Sequence, residues 1–256
     1  MQTVRLSSGV DIPILGLGTS QMKTPVETVE VIKTALSLGY RLIDTAKMYG
    51  NEEPVGEGVR ESGIPREEII VTTKLWPDDF PKAADTFRES LARLGLEYID
   101  IYLIHWPQGF SAEVWQALEA LYDQGLVKTL GVSNFSIEQL QDLLSYARVK
   151  PALNQVHWNP FTYDLDLLSF CSEHGITLEG YRPLTRGEVS HNETIEEIAA
   201  AHTKTYAQVL IRWALERGVV TIPKTTHPDR MRENMDVFDF SLTSDEMSEL
   251  DDLRRS

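Results

Sequence analysis

The sequence has a single cysteine, no excess of basic residues and no long apolar run, and each absence excludes a class of protein. One cysteine, Cys171, excludes an internal disulfide framework and a cysteine-based zinc cluster. The 24 basic against 39 acidic side chains give a formal net charge of -15, whereas a nucleic-acid-binding protein normally presents a basic face. No apolar run approaches the roughly 20 residues of a membrane span, and the N-terminal segment lacks a signal-peptide hydrophobic region. We therefore expect a cytoplasmic protein without nucleic-acid or membrane partners.

What the sequence does contain is a regular alternation of short apolar runs with helical segments. Several runs are continuously apolar, as expected for strands of a parallel sheet that is covered on both faces. The spacing between successive runs is typical of a βαβ unit, and repeated right-handed crossovers close a parallel sheet into a barrel. The eight runs are LGLGT (15–19), RLIDT (41–45), IIVTTKL (69–75), YIDIYLIHW (98–106), VKTLGVSN (127–134), ALNQVHW (152–158), TLEGY (177–181) and VVTIPK (219–224).

This alternation predicts a (β/α)8 barrel formed by residues 1–256 as one domain, with an open doubly wound sheet as the alternative. Two short segments, TVRL and DIPI, predict a β-hairpin ahead of the barrel. Five glycines follow helical segments where a left-handed C-cap residue belongs, namely Gly39, Gly95, Gly125, Gly175 and Gly218. We interpret Cys171 as a small buried helix residue.

Four polar side chains lie at the predicted ends of three neighbouring strands, where barrel enzymes carry catalytic groups. They are Asp44, Tyr49, Lys74 and His105. A phenol has an unperturbed pKa of about 10, so it is a poor proton donor unless a nearby charge stabilises the phenolate. We expect Lys74 to supply that charge, Asp44 to orient Lys74, and His105 to hydrogen-bond a substrate carbonyl oxygen. This is a general-acid site for carbonyl reduction, and its hydride must come from a cofactor.

The expected cofactor site has no Rossmann fingerprint, because the glycine-containing segments 16–21 and 56–61 both lack the third glycine. The segment after the last run offers a different anion site. Pro228 stands where a first helical turn begins, with Lys224 and Arg230 on either side. A phosphate site after the last two strands is common in barrels.

Several motifs, in order along nearly the whole chain, resemble those of the aldo-keto reductases. They are DTAKMYGNE (44–52), the strand ending in Lys74, LIHWP (103–107), GVSNF (131–135), NQVHWNP (154–160) and IPKTTHPDRMREN (222–234). The resemblance is to the small prokaryotic members that reduce 2,5-diketo-gluconate, methylglyoxal and assorted aldehydes. It implies a (β/α)8 barrel that binds NADPH/NADP+ without a Rossmann domain.

The resemblance also implies a role for each matching residue. Asp44, Tyr49, Lys74 and His105 match the catalytic tetrad, with Tyr49 as the proton donor. The implied cofactor contacts are Gly18 and Thr19; Ser133, Asn134 and Gln155 at the nicotinamide carboxamide; Tyr181 stacked on the nicotinamide ring; Lys224, Thr225 and Arg230 at the adenosine 2′-phosphate; and Glu233 and Asn234 at the adenine. The implied substrate pocket is lined by Ser20, Met48, Trp76 and Trp106.

The sequence departs from the family pattern around the substrate and pyrophosphate sites. Ser20 stands where many members have an aromatic residue, and the stretch after Trp106 is short. The chain ends at Ser256 without the tail that closes the pocket in longer relatives, so we expect an open pocket. Arg182 replaces a small polar residue; it either contacts the cofactor pyrophosphate or lies on the surface.

We expect a monomeric, NADPH-dependent reductase of aldehydes, dicarbonyls or keto-sugars. A non-catalytic NADPH-binding module is one alternative, although the tetrad is complete. A lyase that forms a Schiff base on Lys74 is another, and Asp44 argues against it by keeping that lysine protonated. We predict no metal site, because no metal-ligand spacing links the remaining histidines, which are His157, His174, His191, His202 and His227.

Overall fold

Eight parallel strands form the centre of the computed structural model, which describes residues 2–22, 24–185 and 192–255. A two-stranded antiparallel hairpin precedes them, as predicted, and His191 lies outside the described residues. The hairpin strands are β1 (Thr3–Arg5) and β2 (Asp11–Pro13). The parallel strands are β3 (Leu17–Gly18), β4 (Leu42–Asp44), β5 (Ile70–Leu75), β6 (Ile99–Ile104), β7 (Val127–Ser133), β8 (Leu153–His157), β9 (Thr177–Tyr181) and β10 (Val220–Thr221).

The sheet closes on itself between β3 and β10. Strands pair in chain order from β3 to β10, and Leu15 forms a parallel bridge with Thr221. The Gly16 N–H donates to the Thr221 carbonyl oxygen over 2.9 Å, and the Thr221 N–H donates to Ile14 over 3.0 Å. This closure confirms the predicted (β/α)8 barrel over the open sheet.

Helices surround the barrel and cover the apolar outer faces of its strands. The five glycines predicted as C-caps all have positive φ, between 61° and 105°. Cys171 is fully buried on a helix, and burial raises the pKa of its thiol to about 12, in agreement with a packing role. The helices are α1 (Pro25–Ser37), α2 (Glu52–Glu61), α3 (Ala83–Leu94), α4 (Ala112–Asp123), α5 (Ile137–Tyr146), α6 (Leu165–Glu173), α7 (Glu193–His202), α8 (Tyr206–Glu216), α9 (Pro228–Met235) and α10 (Ser244–Asp252).

Alternation along each strand separates the barrel interior from the layer beneath the helices. On β5, Val71 and Leu75 belong to the outer cluster that packs on the helices, whereas Ile70 belongs to the inner cluster. Leu6 and Ile12 of the hairpin region join the inner cluster and cover the N-terminal end of the barrel. The apolar interior therefore ends below the C-terminal rim, where the side chains are polar.

In the part of the chain described, no helix combines the length and hydrophobicity of a membrane span.

Candidate active site

A buried ion pair joins the ends of β4 and β5. Lys74 Nζ donates to Asp44 Oδ1 and Oδ2 at 2.8 and 2.7 Å and to the Thr45 carbonyl oxygen at 2.8 Å. Burial alone would lower the pKa of Lys74, but its interactions with Asp44, Tyr49 and Glu179 outweigh that effect, so the pKa lies above its ordinary value. The ammonium uses its three N–H groups on these oxygens and has no free lone pair. The Schiff-base alternative thus lacks a nucleophile.

Tyr49 stands above this pair, at the end of a short 3-10 turn, Lys47–Tyr49, which Gly50 terminates with a φ of +67°. The Lys74 ammonium lies 5.1 Å from the centre of the Tyr49 ring. Burial raises the pKa of the phenol, the Lys74 charge opposes the rise, the Asp44 charge adds to it, and the pKa stays above its ordinary value. We expected Lys74 to lower the pKa of the phenol. Its charge does act in that direction, but burial and Asp44 outweigh it, so the net shift is upward. At neutral pH the phenol keeps its proton.

His105 provides a neutral imidazole beside Tyr49. Its ring meets the rings of Tyr49 and Trp76 edge-on, with centroid distances of 5.8 and 5.1 Å. Burial and the Lys74 charge lower the pKa of His105 to about 3. His105 Nδ1 is buried and has no hydrogen-bond partner among the described residues. A neutral ring donates one N–H, so His105 can hydrogen-bond a carbonyl oxygen but is a weak source of protons.

A set of amides and hydroxyls faces the same site from the ends of β7, β8 and β9. Asn134, with a φ of +63°, donates from Nδ2 to Ser133 Oγ at 2.9 Å and to the His105 carbonyl oxygen at 3.1 Å. Asn134 Oδ1 accepts from the Tyr181 hydroxyl at 2.9 Å. Gln155 Nε2 donates to Asp44 Oδ2 at 2.8 Å. These bonds commit the amide nitrogens, whereas Gln155 Oε1 and the second lone pair of Asn134 Oδ1 can still accept a hydrogen bond from a ligand.

The predicted site residues share one cleft of about 1360 Å³. Those that line it are Gly18, Ser20, Asp44, Met48, Tyr49, Trp76, His105, Trp106, Ser133, Asn134, Gln155, Tyr181, Arg182, Lys224, Thr225, Arg230, Glu233 and Asn234. Two predicted residues do not line it. Lys74 is buried beneath the cleft, and Thr19 turns away, donating its N–H and Oγ1 to the Asp44 carbonyl oxygen at 3.0 and 2.9 Å. Thr19 therefore supports Asp44 rather than facing the cleft.

The far end of the cleft has the features of a binding site for an anionic ligand that contains ring nitrogens. Helix α9 begins at Pro228 as predicted, and the exposed Lys224 and Arg230 line the cleft beside it. Asn234 is 2% exposed, and its Nδ2 has no partner among the described residues. A buried amide N–H without an acceptor is costly, so this atom fits a ligand that supplies one, such as an adenine ring nitrogen. Cations and an unpaired amide together suit an adenosine phosphate.

Several residues of this site were not predicted from the sequence. Glu179 lies fully buried in the barrel, and its signal was a lone carboxyl within an otherwise apolar run. Thr205 and Tyr206 line the same cleft as Glu233, and Thr205 Oγ1 donates to Glu233 Oε1 at 2.8 Å. The Thr205–Gln208 capping box indicates the start of a helix in the sequence, but its position beside the cleft follows only from the fold.

The family model described as "Aldo/keto reductase family" matches residues 14–255. The chain belongs to the aldo/keto reductase family. This confirms the predicted resemblance. The glyoxal reductase of Bacillus subtilis (strain 168) is 44% identical over 99% of this chain and 93% of its own length. An aldo-keto reductase from a Medee basin deep-sea metagenome library superposes with a TM-score of 0.93, at 43% identity over 98% of this chain and 94% of the other. The Bombyx mori aldo-keto reductase in complex with NADP superposes with a TM-score of 0.92, at 33% identity over 100% of this chain and 94% of the other.

We predict that Lys74→Met destabilises the protein by about 3–5 kcal/mol, because it leaves Asp44 buried without its cation. The double variant Asp44→Asn, Lys74→Met should recover much of this loss, since neither charge is then left alone. Urea unfolding followed by tryptophan fluorescence measures both. Lys33→Met is the matched control: it removes a surface lysine paired with Glu30 and Glu61, and stability should hardly change. Equal losses in the single and double variants would contradict the prediction.

Proposed function

We propose that the protein reduces aldehydes, dicarbonyls and keto-sugars to alcohols with NADPH. The observation that carries this proposal is the buried Asp44–Lys74 pair beside a protonated Tyr49 and a neutral His105, at one end of a cleft whose other end holds Lys224 and Arg230. A relative named glyoxal reductase and a structural neighbour solved with NADP support the reaction and the cofactor. When bound, NADPH supplies the hydride.

Tyr49 gives its proton to the alkoxide oxygen that carbonyl reduction generates. Its raised pKa ensures that the proton is present at neutral pH, and the Lys74 ammonium stabilises the phenolate left behind. Asp44 holds that ammonium in place through two hydrogen bonds. The neutral His105 donates an N–H to the carbonyl oxygen and so orients it toward Tyr49.

The nicotinamide end of the cofactor is held by Ser133, Asn134 and Gln155. The oxygens Asn134 Oδ1 and Gln155 Oε1 suit the NH₂ of a carboxamide, because the nitrogens of both side chains already donate to protein oxygens. The Ser133 hydroxyl donates to the Gln155 backbone carbonyl oxygen over 2.8 Å, so its oxygen can only accept, which also suits the carboxamide NH₂. Tyr181 supports the nicotinamide ring, and its own ring is stacked on His157 at a centroid distance of 5.4 Å.

Residues at the two ends of the cleft complete the proposed assignments. Lys224, Thr225 and Arg230 bind the 2′-phosphate, and Glu233 and Asn234 bind the adenine. Gly18 and Arg182 also line the cleft, and we assign them to the pyrophosphate. Ser20, Met48, Trp76 and Trp106 surround the reacting carbonyl.

A small-molecule carbonyl is the partner of this site, and we place the protein in the cytoplasm as a monomer whose residues 1–256 act as one domain. The non-catalytic alternative is not favoured, because a cofactor-binding module needs neither a buried ion pair nor a phenol above it. Burying charged groups lowers stability. A protein that only bound the cofactor would therefore be more stable with apolar side chains in place of this ion pair.

We predict that Tyr49→Phe lowers the rate of carbonyl reduction by about 10²–10⁴, the usual loss of a positioned general acid. The ring remains, so NADPH affinity should hardly change. Single-turnover oxidation of bound NADPH by a dicarbonyl measures the first quantity, and fluorescence titration measures the second. Tyr98→Phe, a tyrosine whose ring lies 3.7 Å from Lys128 Nζ and does not line the cleft, serves as the control. Full turnover in Tyr49→Phe would remove the phenol from the mechanism.

We also predict more than about tenfold tighter binding of NADPH than of NADH, because two cations meet the extra phosphate. The double variant Lys224→Ala, Arg230→Ala should lose most of this preference while binding NADH as before. Arg232→Ala is the matched control, since Arg232 pairs with Asp229 on the same helix and does not line the cleft. Calorimetric titrations decide the point; equal affinities in the unmodified protein would refute the assignment.

The substrate range should be broad and biased to small aldehydes and dicarbonyls. The loop between β6 and α4 spans only residues 105–111 and brings few side chains to the pocket. Apolar enclosure separates neighbouring substrates by only about 10–200-fold per methylene. NADPH oxidation measured across dicarbonyls, aldehydes, keto-sugars and one bulky ketone tests this. Selective turnover of the bulky ketone, with the dicarbonyls inert, would count against it.

A further inference from the structure

Glu179 is a buried carboxyl that none of the roles above employs. It lies on β9, paired in register with Gln155 of β8, and its residue is fully shielded from solvent. One oxygen, Oε1, accepts a hydrogen bond from Gln155 Nε2, and the other, Oε2, has no partner among the described residues. A buried carboxyl oxygen without a hydrogen-bond partner is destabilising, so stability alone does not explain why a glutamate stands here.

Gln155 stands between two carboxyls and donates to both. Its Nε2 reaches Asp44 Oδ2 at 2.8 Å and Glu179 Oε1 on the opposite side. A primary amide nitrogen has two hydrogens, so these bonds use both. The Asp44 carboxylate, which is paired with Lys74, can only accept hydrogen bonds. The nitrogen of the Gln155 amide, rather than its oxygen, must therefore face Asp44. The second bond, to Glu179, fixes the plane of the amide.

We propose that Glu179 is a positioning residue for the cofactor: by holding the second hydrogen of Gln155 Nε2, it aims the Gln155 amide oxygen at the nicotinamide carboxamide. The inference rests on the carboxamide contact proposed above for Gln155. No hydrogen bond from another described residue occupies Gln155 Oε1, and Gln155 lines the cleft. Without Glu179 the amide can rotate about its bond to Asp44, and its oxygen is no longer held in one direction.

Glu179 performs this task as a hydrogen-bond acceptor rather than as a charge. Burial, and then the Asp44 charge, raise the pKa of Glu179 to about 8, while Gln155 and Lys74 oppose the rise. This shift favours the protonated, neutral carboxyl, so the hydrogen bond from Gln155 does not require a negative charge on Glu179. A neutral amide of the same shape has an acceptor oxygen too, so Glu179→Gln should preserve the arrangement.

The test compares NADP+ with 2′,5′-ADP, which has the adenosine phosphates but no nicotinamide. Glu179→Leu should weaken NADP+ binding about three- to tenfold and leave 2′,5′-ADP binding unchanged, as expected for one neutral hydrogen bond. Glu179→Gln should retain both affinities. Gln155→Leu should show the same selective loss, and adding Glu179→Leu to it should cause little further loss. Calorimetry at pH 7 measures every affinity.

Each contrary result has a distinct meaning. If Gln155→Leu binds NADP+ normally, the carboxamide contact itself is wrong and the inference falls with it. If Gln155→Leu shows the loss but Glu179→Leu does not, the inference alone is overturned. Equal weakening of both ligands in Glu179→Leu would indicate a structural role and also overturn it. Should Glu179→Leu fail to fold, Glu179→Asp replaces it: its shorter side chain withdraws the acceptor while keeping a carboxyl, and the same selective loss is expected.

Discussion

The ion pair between Asp44 and Lys74 is the interaction on which the rest of the site depends. Lys74 binds both oxygens of Asp44 and the Thr45 carbonyl oxygen. Asp44 in turn accepts from Gln155 of β8 and, at its backbone oxygen, from Thr19 after β3. One pair thus connects four parts of the rim. A buried ion pair seldom adds net stability over apolar packing. This pair therefore serves to position the surrounding side chains and to shift their pKa values rather than to stabilise the fold.

The same cation lowers the pKa of each of three titratable groups around it. Burial keeps His105 neutral, and Lys74 adds to this effect because a second cation nearby would be repelled. Lys74 limits the rise in the pKa of Tyr49 that burial causes, and it partly offsets the effect of Asp44 on Glu179. A neutral imidazole, a protonated phenol and a neutral carboxyl can therefore coexist around a single ammonium at pH 7. Of the two protonated groups, only Tyr49 lines the cleft, so Tyr49 is the one that can give its proton to a bound substrate.

Periodicity and strand-end chemistry predicted much of this structure. The eight strands, the hairpin and the glycine C-caps follow from local patterns, and the grouping of Asp44, Tyr49, Lys74 and His105 follows because parallel strand ends meet at one rim. Other features depend on how the barrel closes. The direction of Thr19, the net pKa shift of Tyr49 and the burial of Glu179 are set by neighbours distant in sequence, which no spacing rule encodes.

The junction between β3 and β10 has a thermodynamic consequence. These are the shortest strands of the barrel, and few main-chain bonds join them across Leu15, Gly16 and Thr221. Gly18 on one side and Lys224 on the other line the cleft, so a dinucleotide bound there spans the junction. Any ligand that binds only the closed form stabilises it in proportion to the logarithm of its concentration above the dissociation constant. Bound nucleotide therefore adds a connection across the junction where the barrel strands are shortest, and the closed barrel should become more stable as the nucleotide concentration rises.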